Sequence, residues 1–348
     1  MFYYFKKELK QKNLDSLFID SPQNVFYLTG YNGFSREERD AKILITKEKN
    51  YLFTDNRYLG ELTHLKNFEP VEISLFKEIV QKNKISSAGF EETSLAFSEY
   101  KSLKKIFKKL RPLTGIVERL REIKTENEIT YIKKACAIGD AAFKYIIKEI
   151  KVNVTEEELE KKLEIFINQN GAGISFRPIV AFGKNSAVPH HQNSKIKLKK
   201  GMMVLLDFGV NCKGYCSDMT RTVFFGLPTL KFKQIYHTVL AAQKVAVKTI
   251  RESNLRTNDV DKSARQYIVD KGFPTIPHST GHGIGIDVHE PPSLSPKSKS
   301  RLKNGMIFSI EPGIYLNGWG GVRIEDLFLF EDNSLKKITH STSEIISL

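Results

Sequence analysis

Cysteine is scarce in this chain: Cys136, Cys212 and Cys216 are the only three among 348 residues. An odd number spread over that length builds no disulfide framework, so the sequence reads as a protein of the reducing cytoplasm rather than a secreted one. Nowhere do 18 apolar residues run uninterrupted, which leaves no candidate for a membrane-spanning helix. The opening Met1-Phe-Tyr-Tyr-Phe5 gives way at once to Lys6, Lys7 and Glu8, too short an apolar stretch for a secretory signal. No repeat of solenoid period is visible. The charged stretch Val117–Lys124 is neither proline-rich nor glycine-rich, so any domain boundary there is a short ordered connector.

What is present is ordinary for a globular protein: 41% hydrophobic, 27% charged and 11% aromatic residues, in a length that suits two domains or one large one. Lys plus Arg number 54 against 40 Asp plus Glu, a formal +14. Such a balance raises nucleic acid, anionic membrane and acidic ligands as partners. The excess is diffuse, however, and no recognition motif accompanies it, so neither nucleic acid nor membrane is expected. Lys104, Lys105, Lys108 and Lys109 alternate with Leu103, Ile106, Phe107 and Leu110 at helical spacing, the pattern of a solvated face opposite a buried one.

In the first third, Ser16–Ile19, Ala41–Ile45, Tyr51–Thr54, Pro70–Ile73 and Ser87–Phe90 read as strands, with helical patterns between them, notably Ser94–Leu110. Strands alternating with helices predict a layered α/β domain over residues 1–120. From 121 to 348 the texture changes to α+β. Helices are predicted near 126–150, 155–169, 231–252 and 258–271, the second opened by Thr155 and Glu158 as a capping box. Strands are predicted at Pro178–Ala181, Met203–Phe208, Thr220–Phe225, Met306–Ile310 and Gly321–Phe328, forming a curved antiparallel sheet with helices on one side.

The residues able to do chemistry sit on these strands. Asp207 ends the apolar run Val204-Leu-Leu-Asp207, and Asp218 follows a turn marked by Lys213-Gly214. An isolated Asp after a strand is more often a turn or cap residue. Gly281-His282-Gly-Ile-Gly285 lacks the Lys-Ser/Thr of a phosphate loop, so its glycines are read as letting backbone pass close to a substrate or ion. Glu311 and Glu325 have apolar neighbours, where a carboxylate must be paired, protonated or bound to a cation. Taken together, Asp207, Asp218, His282, Glu311 and Glu325 offer four carboxylates and one imidazole. That set suits Mn²⁺, Co²⁺, Fe²⁺ or Zn²⁺, and five ligands with bridging carboxylates suggest two ions clamping one acidified water. Cys212 and Cys216 are read as small packing residues. Asp287, Glu290 and Asp326 are read as capping, pairing or solvated.

The order Leu-Asp207-Phe-Gly, Asp218-Met-Thr-Arg-Thr, Thr280-Gly-His282-Gly, Val-His289-Glu, Ile-Glu311-Pro-Gly and Val-Arg-Ile-Glu325-Asp resembles the pita-bread metallopeptidases, specifically the Xaa-Pro peptidases, aminopeptidase P and prolidase. The likeness extends to Val180-Ala-Phe-Gly-Lys-Asn-Ser-Ala-Val-Pro-His190. It also reaches Asn24-Val-Phe-Tyr-Leu-Thr-Gly30 and Thr54-Asp-Asn-Arg-Tyr58, which resemble a creatinase-like N-terminal domain. The resemblance implies a creatinase-like domain over 1–120 and a pita-bread catalytic domain over 121–348. It further implies an exopeptidase that removes an N-terminal residue preceding proline, by attack of a hydroxide bridging two divalent metals, Mn²⁺ first among them. Asp207, Asp218, His282, Glu311 and Glu325 would hold metal, with Asp218 and Glu325 bridging and Glu311 also handling the proton. His190 and His289 would bond the carbonyl and its tetrahedral intermediate, while His278 and Arg323 would line the substrate site. Lys297, in Ser295-Pro-Lys297-Ser-Lys299-Ser-Arg301, stands where prolidase-like members commonly carry a carboxylate-binding arginine, although such a run is also what a solvated loop looks like. A homodimer acting on peptides with proline second is expected. Methionine aminopeptidase shares the metal set, and non-catalytic pita-bread proteins bind protein or nucleic acid; the first does not normally carry this N-terminal domain, and the second lose the ligands.

Overall fold

A computed structural model of the protein describes residues 2–35, 37–252 and 255–348. The chain divides into two compact units, Met1–Arg121 and Glu122–Leu348.

The first unit is built on a six-stranded mixed sheet in the order Glu69–Glu72, Asn50–Thr54, Lys42–Thr46, Ser16–Ile19, Ser87–Glu91, Lys109–Leu113. Its central strand, Ser-Leu-Phe-Ile, is buried along its whole length. Leu17 and Ile19 face Phe5 and Leu9 of the helix Phe2–Lys12, while Phe18 points the other way into Phe76, Val80 and Phe107. A strand covered on both faces gains nothing from alternation, which is why Leu17, Phe18 and Ile19 run on without a polar residue, while the hydroxyl of buried Ser16 donates to the Ser87 carbonyl at 3.1 Å.

The predicted helix Ser94–Leu110 is not formed as such. The helix is Phe97–Leu103, and Lys109–Leu113 is an edge strand parallel to Ser87–Glu91. Leu103 and Phe107 are buried and the four lysines exposed, as the periodicity required, but a turn and an edge strand satisfy that pattern as well as a helix does. Pro112 is tolerable in a strand at a sheet edge, and lysines there discourage further pairing.

Among the described residues of the second unit the named strands pair antiparallel, with one isolated parallel bridge between Phe224 and Ser347. The helix Glu126–Glu149 buries Ile132, Ala135, Cys136, Gly139, Ala142, Phe143 and Ile146, an unbroken stripe at helical spacing. Ala135, Ala142, Phe143 and Ile146 lie in one core with Leu159 and Leu163 of the helix Glu156–Gln169 and with Val204, Leu206 and Phe208 of the strand Met202–Phe208. The second helix opens on the Thr155 and Glu158 capping box; Thr125 and Glu128 form the same box on the first. The helices Leu230–Glu252 and Thr257–Asp270 pack through Val239, Ala242, Val260 and Ala264 against Phe308, Ile310 and Phe328.

Two further expectations change. Gly321–Phe328 is not one strand but two, Gly320–Arg323 and Asp326–Glu331, which belong to different sheets. The chain leaves its first partner at Ile324 and Glu325, where the Glu325 N–H donates to the Thr220 carbonyl at 3.1 Å. Gly281–Gly283 is itself a short strand, and its glycines are packed against backbone. A Cβ on Gly281 would lie 2.0 Å from the Ser309 carbonyl oxygen, and one on Gly283 would lie 2.2 Å from that of Pro291.

Candidate active site

A cavity of about 900 Å³ opens in the second unit, and the five proposed ligands all line it. Asp207 is paired in register with Thr220, so Asp218, just before the neighbouring strand Met219–Phe225, comes to the same end of the sheet. The strand break described above delivers Glu325 to this point. Glu311 follows the strand Met306–Ile310, and His282 is the centre of Gly281–Gly283.

Three of the carboxylates, Asp207, Asp218 and Glu325, each present an oxygen within 4.8 Å of the others. His282, Glu311 and Glu325 form a second such group. His282 Nε2 lies 3.3 Å from Glu311 Oε1 and 3.7 Å from Asp218 Oδ2. Thr220 Oγ1 stands between Asp207 Oδ1 and Glu325 Oε2, at 3.1 and 2.7 Å, and accepts from Arg323 Nε at 2.9 Å. Asp218 Oδ1 and Glu325 Oε1 are buried with no hydrogen-bond partner among the described residues.

The electrostatics follow from this crowding. Burial, then the charges of Glu325, Asp207 and Glu311, push the Asp218 carboxyl well above its ordinary range. Burial, with Glu311 and Asp207 alongside, takes Glu325 up to about 8. For Glu311 burial works upward, but the bond and charge of His282 outweigh it and bring the carboxyl down to about 2. The reverse holds for His282, which burial would lower and Glu311 carries up to about 9.

Arg323 does not pair with Glu325. Its Nη2 donates to Asp207 Oδ2 at 2.5 Å and its Nη1 to the Tyr315 hydroxyl at 2.9 Å. Tyr315 in turn lies 2.8 Å from His278 Nε2, and His278 Nδ1 lies 2.8 Å from the Ser279 carbonyl. A carbonyl can only accept, so Nδ1 carries the proton and Nε2 accepts from the tyrosine. Burial lowers the His278 imidazole, which keeps that arrangement neutral. His190 and His289 are exposed side chains of the cavity wall, and the His289 ring stands perpendicular to that of His282 at 4.2 Å between centroids.

Lys297 is the one proposed residue not brought to the cavity. It is exposed in the turn after the strand Glu290–Leu294, where the Ser298 N–H closes on the Ser295 carbonyl, and Ser293, Ser298 and Ser300 form that part of the wall. Cys136, Cys212 and Cys216 are buried. Glu290 pairs with Lys124 at 2.7 Å and Asp326 with Arg221 at 2.5 Å, all four buried. Thr220 and Tyr315 were not singled out in the sequence. Both stand beside residues that were, the first two positions after Asp218 and the second four after Glu311.

Residues 130–332 match metallopeptidase family M24, and residues 4–123 match the creatinase/prolidase N-terminal domain. The Xaa-Pro dipeptidase of Pyrococcus furiosus is 34% identical over 348 residues, covering 98% of this chain and 97% of that protein. Among solved structures, the Xaa-Pro dipeptidase from Bacillus anthracis superposes with a TM-score of 0.94 at 36% identity, covering 100% of this chain and 99% of the other. An X-Pro aminopeptidase from Thermotoga maritima gives 0.87 at 32%, covering 97% and 98%. With a catalytic-domain match over more than half its length and relatives aligned nearly end to end, the chain belongs to metallopeptidase family M24.

Proposed function

We propose that the protein is an Xaa-Pro dipeptidase, hydrolysing the bond between an N-terminal residue and proline at a centre of two divalent cations held by Asp207, Asp218, His282, Glu311 and Glu325. The observation that carries this reading is the trio Asp207, Asp218 and Glu325, three buried carboxylates with oxygens within 4.8 Å of one another and, on two of them, an oxygen without a partner among the described residues. Buried carboxylates left so are costly unless a cation takes them up. Because Glu325 belongs to both groups, the donor set fits two ions, and its oxygen-rich character with one nitrogen fits Mn²⁺. When bound, such a pair supplies polarisation of the scissile carbonyl and a water acidic enough to attack near neutral pH.

The side chains supply the rest. Glu311 takes the proton of the attacking water and passes it toward the leaving proline nitrogen. His190 and His289 donate to the carbonyl oxygen as it gains charge. Partial desolvation at the cavity wall and the neighbouring His282 lower the His289 imidazole, so at neutral pH it donates from one N–H rather than as a cation. Arg323 fixes Asp207, and His278 fixes Arg323 through Tyr315.

The substrate class is that of the Pyrococcus furiosus and Bacillus anthracis relatives. Cleavage of longer Xaa-Pro peptides is a second reading, favoured by the position of Lys297 outside the cavity wall, where it cannot clamp a dipeptide's carboxylate. The test is to strip the protein with chelator, reload it with Mn²⁺, Co²⁺ or Zn²⁺, and compare kcat/KM for Xaa-Pro, Xaa-Pro-Xaa and Xaa-Ala. Two ions per chain, with Xaa-Pro cleaved best and Xaa-Ala spared, is the expected result. Turnover in chelator, or equal cleavage of Xaa-Ala, defeats the reading. A homodimer is part of the proposal and is checked by light scattering.

A further inference from the structure

The helix Thr257–Asp270 gives no side chain to the cavity wall, yet it is bonded to that wall at two levels. At its start, Thr257 Oγ1 donates to Ser298 Oγ at 2.8 Å and its N–H to the Ser300 carbonyl at 3.1 Å; both serines line the cavity. One turn later stands Asp261, fully buried. Its Oδ1 accepts from the N–H and the hydroxyl of Thr280, at 3.1 and 2.8 Å, and its Oδ2 accepts from Arg265 Nε at 2.7 Å. Arg265, four residues on and so on the same helix face, spends its remaining fork on the carbonyls of Ile276 and His278.

The segment held in this way has no helix or strand of its own between residues 273 and 280, so its carbonyls find partners elsewhere. It is also the segment on which the site depends. His278 lines the cavity, with Nδ1 3.8 Å from Glu311 Oε2. The Thr280 carbonyl accepts the Glu311 N–H at 2.8 Å, and His282 lies two residues further on. Asp261 therefore reaches the backbone of Glu311 through one intermediary, Thr280, and Arg265 bonds the main chain of His278 directly.

We propose that Asp261 and Arg265 are positioning residues, a carboxylate and guanidinium pair that sets the 276–280 segment from outside the cavity and thereby the separation of His278 and Glu311. A pair kept for stability alone would need only opposite charges. This one uses the planar fork of arginine on two separate carbonyls, a geometry a lysine ammonium does not reproduce.

The turnover part of this inference rests on the peptidase reading; the positioning part does not, and the experiment reads both. In metal-loaded Arg265→Met, kcat for Xaa-Pro substrates per folded molecule is expected to fall about 30- to 100-fold, as small displacements of catalytic groups do, with KM changed less than about threefold. Amide hydrogen exchange at Thr280 and Glu311 should quicken by about tenfold or more, equivalent to about 1.4 kcal/mol of lost local protection. Arg265→Lys, the variant more certain to fold, should recover the melting temperature without recovering kcat. Parental kcat in Arg265→Met, full rescue of kcat by lysine, or unchanged exchange at both amides would each overturn the proposal. A parent protein inactive on all Xaa-Pro peptides would instead remove the functional reading, and the exchange measurement would still decide whether the pair holds the segment.

Discussion

Glu325 and Asp326 are neighbours in the chain and opposites in their surroundings. Asp326 is completely buried, and both its oxygens are taken: Oδ1 accepts from Arg221 Nη2 at 2.5 Å and Thr339 Oγ1 at 2.7 Å, and Oδ2 from Gln243 Nε2 at 3.1 Å. Lys337 Nζ stands 3.2 Å from Oδ1 as well. Glu325, one residue earlier and pointing to the cavity, has Thr220 on one oxygen and no partner among the described residues on the other. The same charge at nearly the same depth is neutralised on one side and left exposed to its own kind on the other. A carboxylate surrounded by donors holds the fold together, whereas one surrounded by carboxylates is costly to the fold until a cation arrives.

Glu325→Gln should break the contrast most visibly. The loss of one anionic member common to both ligand groups is expected to lower kcat/KM by at least about a thousandfold, as removal of a member of a concerted set does elsewhere. Metal analysis should show fewer than two ions per chain. In chelator, however, the variant should melt no lower than the parent, because it has lost a source of repulsion. Asp218→Asn should behave alike. Full activity in either variant would sink the two-ion centre.

Asp326→Ala should do the reverse. It removes the carboxylate paired with the buried Arg221 guanidinium, a change worth about 3–5 kcal/mol of stability. Denaturant midpoints should fall whether or not metal is present, and activity should follow the folded fraction. A loss of kcat without a loss of stability would mean that Asp326 belongs to the reaction after all.

Glu325 and Asp326 also mark how far the sequence was legible. The ligand set could be named because its members stand in or beside apolar runs, where a carboxylate must be explained, and because their order along the chain resembles the family pattern. That Glu325 faces the cavity and Asp326 does not comes from the break between Gly320–Arg323 and Asp326–Glu331, which the sequence did not show, since both pieces are equally apolar. The lysine-studded stretch from 101 to 111 misled for a related reason, because spacing reports which side chains are buried and not which backbone buries them. Thr220, Tyr315 and the Asp261 and Arg265 pair were invisible for a different cause. Their importance comes from hydrogen bonds to residues distant in sequence, and no local pattern encodes those.

A third buried carboxylate, in the first unit, sharpens the comparison. Glu91 takes hydrogen bonds from neutral donors, the N–H groups of Asp20 and Ser21 at 2.8 Å and Asn24 Nδ2 at 2.5 Å. Burial nonetheless pushes its carboxyl up to about 7, the nearby Glu118 charge adding to the effect. A folded value above the unfolded one, 4.5, means that the native state keeps its proton longer. Stability from this group is thus fully present below about pH 4.5, declines as the pH climbs, and is gone above about 7, a swing of about 3 kcal/mol. Urea midpoints measured from pH 4 to 8 should show this slope, and Glu91→Gln should flatten it. An unchanged slope in the variant would mean that the Asn24 and backbone donors hold Glu91 ionised throughout.

The smallest effect is expected where charge meets only water. Lys297 is exposed on a turn whose serines, not its lysine, face the cavity, so none of the described residues fixes the direction of its ammonium. An exposed cation of this kind is screened by salt over about 8–10 Å and contributes little to binding a carboxylate it does not touch. Lys297→Ala should therefore leave KM for Xaa-Pro dipeptides and for longer Xaa-Pro peptides within about twofold of the parent, and the ratio between them unchanged. The measurement is a pair of KM values at low and at physiological ionic strength. If the dipeptide KM alone rises, and rises more at low salt, then Lys297 reaches the substrate's carboxylate in the bound complex, and the turn from Ser295 to Ser298 must swing inward when substrate binds.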